Sequence, residues 1–425
     1  MTKAMLNNLQ QIESFTMRCG IAVLSSFATL SFANADANDW LQFRGPGASS
    51  YQSQATPPTE FDAASGNNIQ WKVDLPGRSV GGAIVVGDQV ITTSSSGMDQ
   101  RRIFVTSVSS KSGEILWEQN IVARGRPFCH PYSANAAPTP ASDGERIFAF
   151  FSSNDLIALN LKGEVVWYRS LASEFTKAGN DTGMSSSPLV IEDTVIVQVE
   201  CQGESFAAGL DNASGELLWK IGRPHQANWS SPAPWIRDGM DSMVVLTSGV
   251  DVKVVNARTG AELVSLDRGA SIISSALALN DQVLLAEGGL TTYQWNPTTK
   301  QLDKLWQNNK LEPGNSSPIT VGTSVIAIKG GVLSVGDIRD GSLRYKTRLP
   351  DSGSIWSTPV VCKDHLYAFT DTGRCFVVAV GDKAATVVAT NELGEMVLGS
   401  PAVSGNALFI RSNTKLWKIA ATTSP

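Results

Sequence analysis

The stretch SGELLWK, residues 214–220, joins a turn-forming Ser-Gly pair to a short apolar segment that ends in tryptophan. Nearly the same phrase returns as SGEILWE at 112–118, GEVVWYR at 163–169, TGAELVS at 259–265 and DGSLRYK at 340–346. One copy would indicate a turn, whereas several copies at a fixed period predict a repeated architecture. In such an architecture the large residue after each glycine is expected to pack between neighbouring units, which is a structural role.

A second signal, Ser-Ser-Pro or a variant of it, repeats with a similar period. Its last residue falls at Ala83, Pro138, Pro188, Pro232, Ala276, Pro318, Pro359 and Pro401. The large residues of the first signal form a matching series at Trp71, Trp117, Trp167, Trp219, Val264, Trp306, Tyr345 and Val388. Both signals therefore predict eight units of roughly 43 residues each, which is the length of a propeller blade.

Each unit is predicted to be a four-stranded sheet. The fourth contains SSPAPWI, SMVVLTS, DVKVVNA and GAELVSL, joined by residues that favour tight turns. The series opens with an isolated outer strand around Trp71, and the last unit stops after the strand around Trp417. The N-terminal strand can complete the last sheet and remove its open edge. We therefore predict an all-β fold, an eight-bladed β-propeller closed by pairing of the N-terminal strand with the last blade.

The chain is predicted to begin with a secretory signal peptide, residues 1–35, cleaved after Ala35. It has Arg18, an apolar run over residues 21–32 and small residues before the cleavage site. The run is shorter than the about 20 residues of a membrane span, so the mature chain is predicted to lack a transmembrane span and to be periplasmic or secreted. Residues 36–68 form an N-terminal extension that either packs on the ring or stays extended, and residues 69–425 form the propeller.

At the repeated blade residues the chain resembles the bacterial pyrroloquinoline-quinone (PQQ) repeat family, whose blade motif is Ala-x-Asp-x-x-Thr-Gly-x-x-x-Trp. The motif appears as GLDNASGELLW at 209–219, and more loosely as VVNARTGAELV at 254–264 and VGDIRDGSLRY at 335–345. The segment WLQFRGPGAS at 40–49 also looks like the leader of many uncharacterised exported members. The resemblance covers roughly residues 69–425 and implies the propeller fold.

The resemblance implies two kinds of function. Some members are quinoprotein dehydrogenases, which hold the quinone and a calcium ion at the mouth of the ring, and others are binding platforms, such as the outer-membrane assembly factor that helps to insert β-barrel proteins. The dehydrogenases typically have an adjacent Cys-Cys disulfide and long insertions, whereas this sequence has no neighbouring cysteines and its blades five to eight are nearly minimal.

We therefore predict an exported, non-catalytic scaffold in the cell envelope that needs no cofactor. Its partner is expected to be an envelope protein or a small ligand. A net charge of −5 without a basic stripe gives no indication of a nucleic-acid partner. The alternative is a PQQ- and calcium-dependent dehydrogenase that oxidises an alcohol or sugar.

The segments that enter the inner strands are expected to line one mouth of the central channel. They carry the candidate binding residues Arg78, His130, Tyr132, Met184, Trp229, Asn315 and Trp356. Aromatic and polar groups that converge on a depression are typical of recognition surfaces. No catalytic or metal-binding residue is predicted, because His130, His225 and His365 lack the spacing of metal ligands.

Glu200 is an unusual charge within the apolar segment VQVECQG, residues 197–203. A buried acid would suggest a functional site. A strand end that faces the solvent is the simpler interpretation.

Overall fold

The computed structural model describes residues 38–178 and 182–422, and the predicted signal peptide lies outside them. These residues form 33 strands arranged in eight sheets. Two strands precede the first complete blade, β1 (Tyr51–Gln52) and β2 (Ile69–Asp74). Three short helices interrupt the described chain, two 3₁₀ turns at Pro46–Ala48 and Met98–Gln100 and the helix α1 (Leu171–Glu174). No helix in this part of the chain is long and apolar enough to cross a membrane.

Blades one to four follow in chain order, each with its strands counted from the channel outward. Blade one has β3 (Ile84–Val86), β4 (Gln89–Ser96), β5 (Arg102–Ser109) and β6 (Ile115–Val122). Blade two has β7 (Ala141–Ser142), β8 (Arg146–Phe150), β9 (Asp155–Asn160) and β10 (Val165–Ser170). Blade three has β11 (Leu189–Ile191), β12 (Thr194–Val199), β13 (Phe206–Asp211) and β14 (Leu217–Gly222). Blade four has β15 (Ala233–Trp235), β16 (Met243–Thr247), β17 (Val252–Asn256) and β18 (Glu262–Leu266).

Blades five to eight continue the same antiparallel order. Blade five has β19 (Leu277–Leu279), β20 (Gln282–Leu285), β21 (Leu290–Asn296) and β22 (Gln301–Asn308). Blade six has β23 (Ile319–Val321), β24 (Ser324–Lys329), β25 (Val332–Asp337) and β26 (Leu343–Arg348). Blade seven has β27 (Val360–Cys362), β28 (His365–Phe369), β29 (Arg374–Val380) and β30 (Ala385–Glu392). Blade eight has β31 (Ala402–Ser404), β32 (Ala407–Arg411) and β33 (Lys415–Ile419), with β2 as its outer strand.

The ring is closed by the two ends of the chain. Strand β2 pairs antiparallel with β33, from Ile69 opposite Ile419 to Asp74 opposite Lys415. The buried Arg411 of β32 reinforces the closure, because it donates to the Gly77 carbonyl oxygen and the Ser94 hydroxyl, both at 3.0 Å. The predicted eight-bladed β-propeller is therefore confirmed, and blade eight takes its outer strand from the N-terminal side.

The tryptophans of the repeated motif join neighbouring blades. Trp219 of blade three donates from Nε1 to the Ala257 carbonyl oxygen of blade four at 2.9 Å. A Cβ on Gly260, in the turn of blade four, would lie 2.6 Å from the same indole ring. A glycine at this turn position thus makes room for the ring of the preceding blade, in addition to adopting the positive φ of the turn.

Every outer strand has a β-bulge beside this position. The bulge in blade three places Trp219 opposite Gly209 and skips one residue before Leu217 pairs with Leu210. Corresponding irregularities occur in the outer pairs of the other seven blades. In blade seven the wedge position falls on Ala389, and Val388, assigned to the aromatic series from the sequence, is the exposed bulged residue. That assignment was wrong because a bulge shifts the inward-facing position by one residue.

Candidate functional site

Residues 39–52, the plug segment, cross the channel at one end. Trp40 exchanges two backbone hydrogen bonds with Val85 of blade one, at 2.9 and 3.0 Å. The Leu41 carbonyl oxygen accepts a hydrogen bond from the backbone N–H of Ser142 in blade two at 2.7 Å. Strand β1 then pairs in parallel with β27 of blade seven. The plug segment therefore contacts blades one, two and seven and forms the floor of the channel.

The rest of the N-terminal extension also packs on the ring. Phe61 is buried and stacks on Phe369 of blade seven, with ring centroids 6.3 Å apart. The Tyr367 hydroxyl donates to the Pro57 carbonyl oxygen at 2.8 Å. The question that the sequence left open for residues 36–68 is thus answered for the described part, because it follows the surface of the propeller.

Arg44 anchors the plug segment beneath the channel. Its guanidinium donates to the Ala276 carbonyl oxygen of blade five at 2.9 Å and to the Pro318 carbonyl oxygen of blade six at 2.6 Å. Burial lowers the pKa of Arg44 to about 9, which leaves the side chain charged at neutral pH. Among the described residues no carboxylate forms an ion pair with it. A buried cation held by carbonyl oxygens therefore lies directly under the channel.

Above the floor, side-chain hydroxyls surround the channel in a hydroxyl belt. Its members are Thr139, Ser187, Ser231, Ser275, Ser317, Thr358 and Ser400, with Gly82 at the eighth position. Each hydroxyl accepts a hydrogen bond from the backbone N–H of the belt residue in the preceding blade, at 2.9–3.1 Å. The repeated Ser-Ser-Pro signal therefore links each blade to the next, with a net stabilisation of about 1 kcal/mol for each of these bonds.

The belt is interrupted where the ring closes. A Cβ on Gly82 would lie 2.6 Å from the Ser400 carbonyl oxygen, and one on Gly399 would lie 2.3 Å from the Gly81 carbonyl oxygen. The backbones of blades one and eight approach too closely here for larger side chains. Blade one therefore has Gly-Gly-Ala where the other blades have Ser-Ser-Pro or a related triplet.

A second ring, the rim ring, lies one layer above the belt. Each member stands two residues before a belt position, and residues two apart in an extended strand face the same side. The members are Val80, Ala137, Ser185, Trp229, Ile273, Asn315, Trp356 and Leu398. The belt is nearly uniform, whereas the rim ring varies from blade to blade, so the rim ring gives this channel its individual chemistry.

The two rings and the floor enclose a cavity of about 430 Å³, the cup. Phe43 of the plug segment lines it from below, and His130 and Tyr132 line it from the long connection between blades one and two. The volume lies within the roughly 300–1,000 Å³ that is usual for small-molecule sites. The cup is therefore a blind depression that opens at one face of the propeller.

Aromatic side chains dominate the mouth of the cup. The Trp229 indole is fixed, because its Nε1 donates to the Gly183 carbonyl oxygen at 2.6 Å and its backbone N–H donates to Ile272 at 2.7 Å. Trp356 and Tyr132 are more open, with 39% and 56% of their surface exposed. One indole is thus a rigid wall, and the two other rings are accessible from solvent.

Five of the seven predicted binding residues line the cup: His130, Tyr132, Trp229, Asn315 and Trp356. The other two, Arg78 and Met184, lie outside the lining. The Arg78 guanidinium donates to the Pro131 carbonyl oxygen at 3.1 Å and supports the loop of Tyr132. Met184 is buried in the apolar cluster between blades two and three.

Sequence reasoning missed the belt, the apolar rim residues Val80, Ile273 and Leu398, and Phe43 in the floor. The rim residues could have been found by counting two places back from each repeated Ser or Thr. The floor had only the unusual WLQFRGPGAS segment as a signal.

The lining of the cup is almost uncharged. Among the described residues it contains no Asp, Glu, Lys or Arg, and His130 is its only histidine. The same part of the chain has no group of three His, Cys, Asp or Glu side chains placed to hold a metal ion. Calcium needs several oxygen ligands, usually including carboxylates, and PQQ is itself a polycarboxylate that needs cationic partners when it is buried. The residues of the cup do not fit either group.

Glu200 belongs to a buried ionic network behind Trp229. Its Oε1 lies 2.7 Å from Nε of Arg223, and Arg223 also lies 3.0 Å from the Asp251 carboxylate of blade four. The side chains of Glu200 and Arg223 are fully buried, so the interpretation of a solvent-facing strand end was wrong. Burial raises the pKa of Glu200 to about 7, against the opposing effect of Arg223.

The network is connected to the rim ring through one carbonyl. Gln198 bonds both to Glu200 and to the Thr247 carbonyl oxygen, each at 2.8 Å. Asn228, the residue before Trp229, donates to the same oxygen at 2.6 Å. The ionic network therefore supports the backbone that presents the Trp229 indole.

Comparison with known proteins places this architecture in a family. The family model described as outer membrane protein assembly factor BamB matches residues 53–208 and 203–424. BamB from Moraxella catarrhalis is 15% identical, covers 84% of this chain and 98% of its own, and superimposes with a TM-score of 0.62. A quinohemoprotein alcohol dehydrogenase from Comamonas testosteroni is 10% identical, covers 92% of this chain and 82% of its own, and gives a TM-score of 0.64. At these identities the likeness to solved structures shows the fold alone.

A curated relative, a polyvinylalcohol dehydrogenase of Pseudomonas sp., is 25% identical over 215 residues. The match spans 47% of this chain but only 30% of the relative. The family model, in contrast, covers nearly the whole of the described propeller. By that match the chain belongs to the PQQ-like repeat β-propeller family, whose model carries the description outer membrane protein assembly factor BamB.

Proposed function

We propose that this protein is an exported, non-catalytic binding scaffold of the cell envelope, which holds its partner or ligand at the mouth of the cup. One observation carries the proposal. The blind cup combines an exposed aromatic mouth with a lining whose described residues include no Asp, Glu, Lys or Arg. Such a surface is suited to recognition, and its described residues do not supply the ligand set and the carboxylate base that the alternative dehydrogenase requires.

The outer rim of the propeller is a weaker candidate for partner binding. An exposed strand edge can recruit a strand from another protein, but bulges disturb the hydrogen-bonding pattern that such pairing needs. Every outer strand here contains one. The mouth face, in contrast, exposes Tyr132 and Trp356. We therefore assign recognition to the mouth, with His130, Tyr132, Trp229, Asn315 and Trp356 as the contacting residues.

The family model supports the envelope assignment, because its description refers to an outer-membrane assembly factor. The alternative has its own support in the names of relatives, which include a polyvinylalcohol dehydrogenase and a quinohemoprotein alcohol dehydrogenase. These names describe those proteins, and the uncharged lining of this cup favours the scaffold.

Site-specific photo-cross-linking tests the proposal. A photoreactive amino acid replaces Trp356 at the mouth or, as a control, Ile236, which is 64% exposed just after the inner strand of blade four, at the opposite end. Irradiation in the envelope of expressing cells should give a discrete adduct at position 356 and none at 236. Equal labelling at both positions would contradict a specific mouth. Saturable, calcium-dependent stabilisation by PQQ, together with reduction of a dye by an alcohol, would contradict the scaffold function and support the dehydrogenase.

A further inference from the structure

We infer that the cup binds an uncharged, hydroxyl-rich ring, the chemistry of a neutral sugar unit. This inference rests on the proposed function and deepens it, because it names the class of ligand that the cup takes. Three properties of the lining lead to it: unused hydroxyl donors, apolar and aromatic walls, and the distribution of charge.

The belt provides hydrogen-bond donors. Each belt hydroxyl already accepts a backbone N–H from the preceding blade. A Ser or Thr hydroxyl also has one hydrogen to donate, and among the described residues none of these hydrogens is donated to a protein acceptor. The wall therefore presents a ring of hydroxyl donors to oxygen atoms in the cup. A ligand with many acceptor oxygens satisfies them, whereas a purely apolar side chain leaves them unpaired.

The rim ring provides apolar faces. Trp229, at the start of blade four, is held by two hydrogen bonds. Trp356 lies at the start of blade seven, and Ile273 and Asn315 lie on blades five and six between them. The C–H face of a sugar ring packs against an indole while its hydroxyl groups point sideways to polar neighbours. Asn315 is placed among these apolar walls as a combined donor and acceptor.

The charges select against ionic ligands. A carboxylate in the cup would be desolvated, and the described lining residues include no Lys or Arg to pair with it. An ammonium group would meet no carboxylate among the described lining residues, and Arg44 beneath the floor would repel it. An uncharged ligand avoids both costs, and its oxygen dipoles interact favourably with the buried guanidinium.

Titration of the full-length mature protein tests this inference. The probes are maltotriose, cellotriose and chitotriose, with trigalacturonate and chitosan trimer as the anionic and cationic comparators. Calorimetry and tryptophan fluorescence should show saturable binding of at least one neutral trisaccharide and weaker binding of both charged trimers. Trp356→Ala should weaken that binding about tenfold, as expected for one lost aromatic contact. Ile236→Ala should bind like the wild type.

A belt variant separates hydrogen bonding from packing. Ser317→Thr keeps a hydroxyl, which Thr139 and Thr358 show to be compatible with the belt, and should retain affinity. Ser317→Ala, which has no hydroxyl, should lose affinity for the sugar. Melting temperatures will show that both variants are folded.

Two outcomes would overturn the inference. In the first, no neutral trisaccharide binds at millimolar concentration while a photoreactive residue at position 356 still cross-links a protein. That result would contradict sugar binding and would still support the scaffold function. Alternatively, a charged trimer binds more tightly than every neutral one. Binding of a neutral sugar accompanied by its oxidation would instead contradict the non-catalytic function and would support the proposed class of ligand.

Discussion

At the scale of single residues, Glu200 shows how the surroundings of one carboxyl group become a property of the whole protein. Its pKa is about 7 in the folded state, mainly because burial disfavours the charged form, against an ordinary value of 4.5. The folded state therefore holds this proton more tightly than the unfolded state does. The resulting stability is fully present below pH 4.5 and is lost as the pH rises through about 7.

Glu200→Gln should remove this pH dependence. The wild type is expected to lose up to about 3 kcal/mol of unfolding free energy between pH 4.5 and pH 8 from this group. Gln cannot titrate, so the variant should be nearly flat over the same window. Urea denaturation at closely spaced pH values measures the difference. Glu216→Gln, at an exposed position in the turn before β14, should keep the wild-type slope, and a Glu200→Gln slope equal to the wild type would contradict the assignment.

The sequence marked Glu200 as unusual but led to the wrong surroundings. Its partner Arg223 comes from the end of blade three, and Asp251, which also pairs with Arg223, comes from blade four. A strand end is solvent-exposed in an isolated sheet, and only the position of the neighbouring blade buries it. Local pattern therefore identifies the residue, whereas its chemistry depends on how the blades stack.

At the scale of elements, the contact between Trp219 and Gly260 is the unit that holds one blade to the next. Trp219 is buried and reaches over the glycine of the following turn. The same arrangement occurs at Gly113, Gly163, Gly215 and Gly341, each beside the ring of the preceding blade. A side chain at such a glycine meets both an unfavourable positive φ and an occupied space.

Gly260→Ala should therefore destabilise the protein by about 2–4 kcal/mol, from left-handed strain and displacement of the indole. Gly222→Ala is the matched control, since nothing lies within 4 Å of its Cβ position and its φ is not positive. That control should change the stability by less than about 1 kcal/mol. Chemical denaturation compares the two, and equal stabilities would show that the wedge contributes little.

The repeat made these elements predictable. Each blade repeats the same turn, wedge and inner-strand entry, so eight weak signals reinforce one another. The hydroxyl belt was not predicted, although its serines were part of the second signal. Their function is to accept an N–H from another blade, about 41–48 residues away along the chain, and no local pattern shows that bond.

At the scale of the whole molecule, the closed ring leaves no end blade with an unsupported face. Blade eight contains strands from both ends of the chain. The belt, the wedges and the closing pair then couple all the blades, so loss of one blade removes support from both neighbours. We expect the propeller to unfold as one cooperative unit.

Buried thiols can report this cooperativity. Cys201 in blade three and Cys375 in blade seven are both buried, and burial raises the pKa of Cys375 well above its ordinary value, so the thiol is unreactive when folded. In a Cys129→Ser background, pulse labelling in increasing urea should give the same midpoint for both thiols. Gly260→Ala, in blade four, should shift both midpoints equally. Separate midpoints would indicate blades that open independently.

The overall fold was predictable from the sequence because the isolated strand around Trp71 complements the last repeat, which has only three strands of its own. The floor of the cup was not, because the plug segment contains no repeat and its bonds join residues 232 and 274 positions apart. The five rim and loop residues found from sequence all lie at the mouth, where their place follows from the strand order.

The plug segment also imposes an order of events on the chain. It is synthesised before any blade, yet Arg44 binds carbonyl oxygens of blades five and six, and β1 pairs with a strand of blade seven. These partners emerge late, so the plug segment must wait until most of the ring has been synthesised before it can dock. The floor can therefore form only after blades five to seven have emerged, and a chain truncated before them lacks the residues that hold Arg44 and β1.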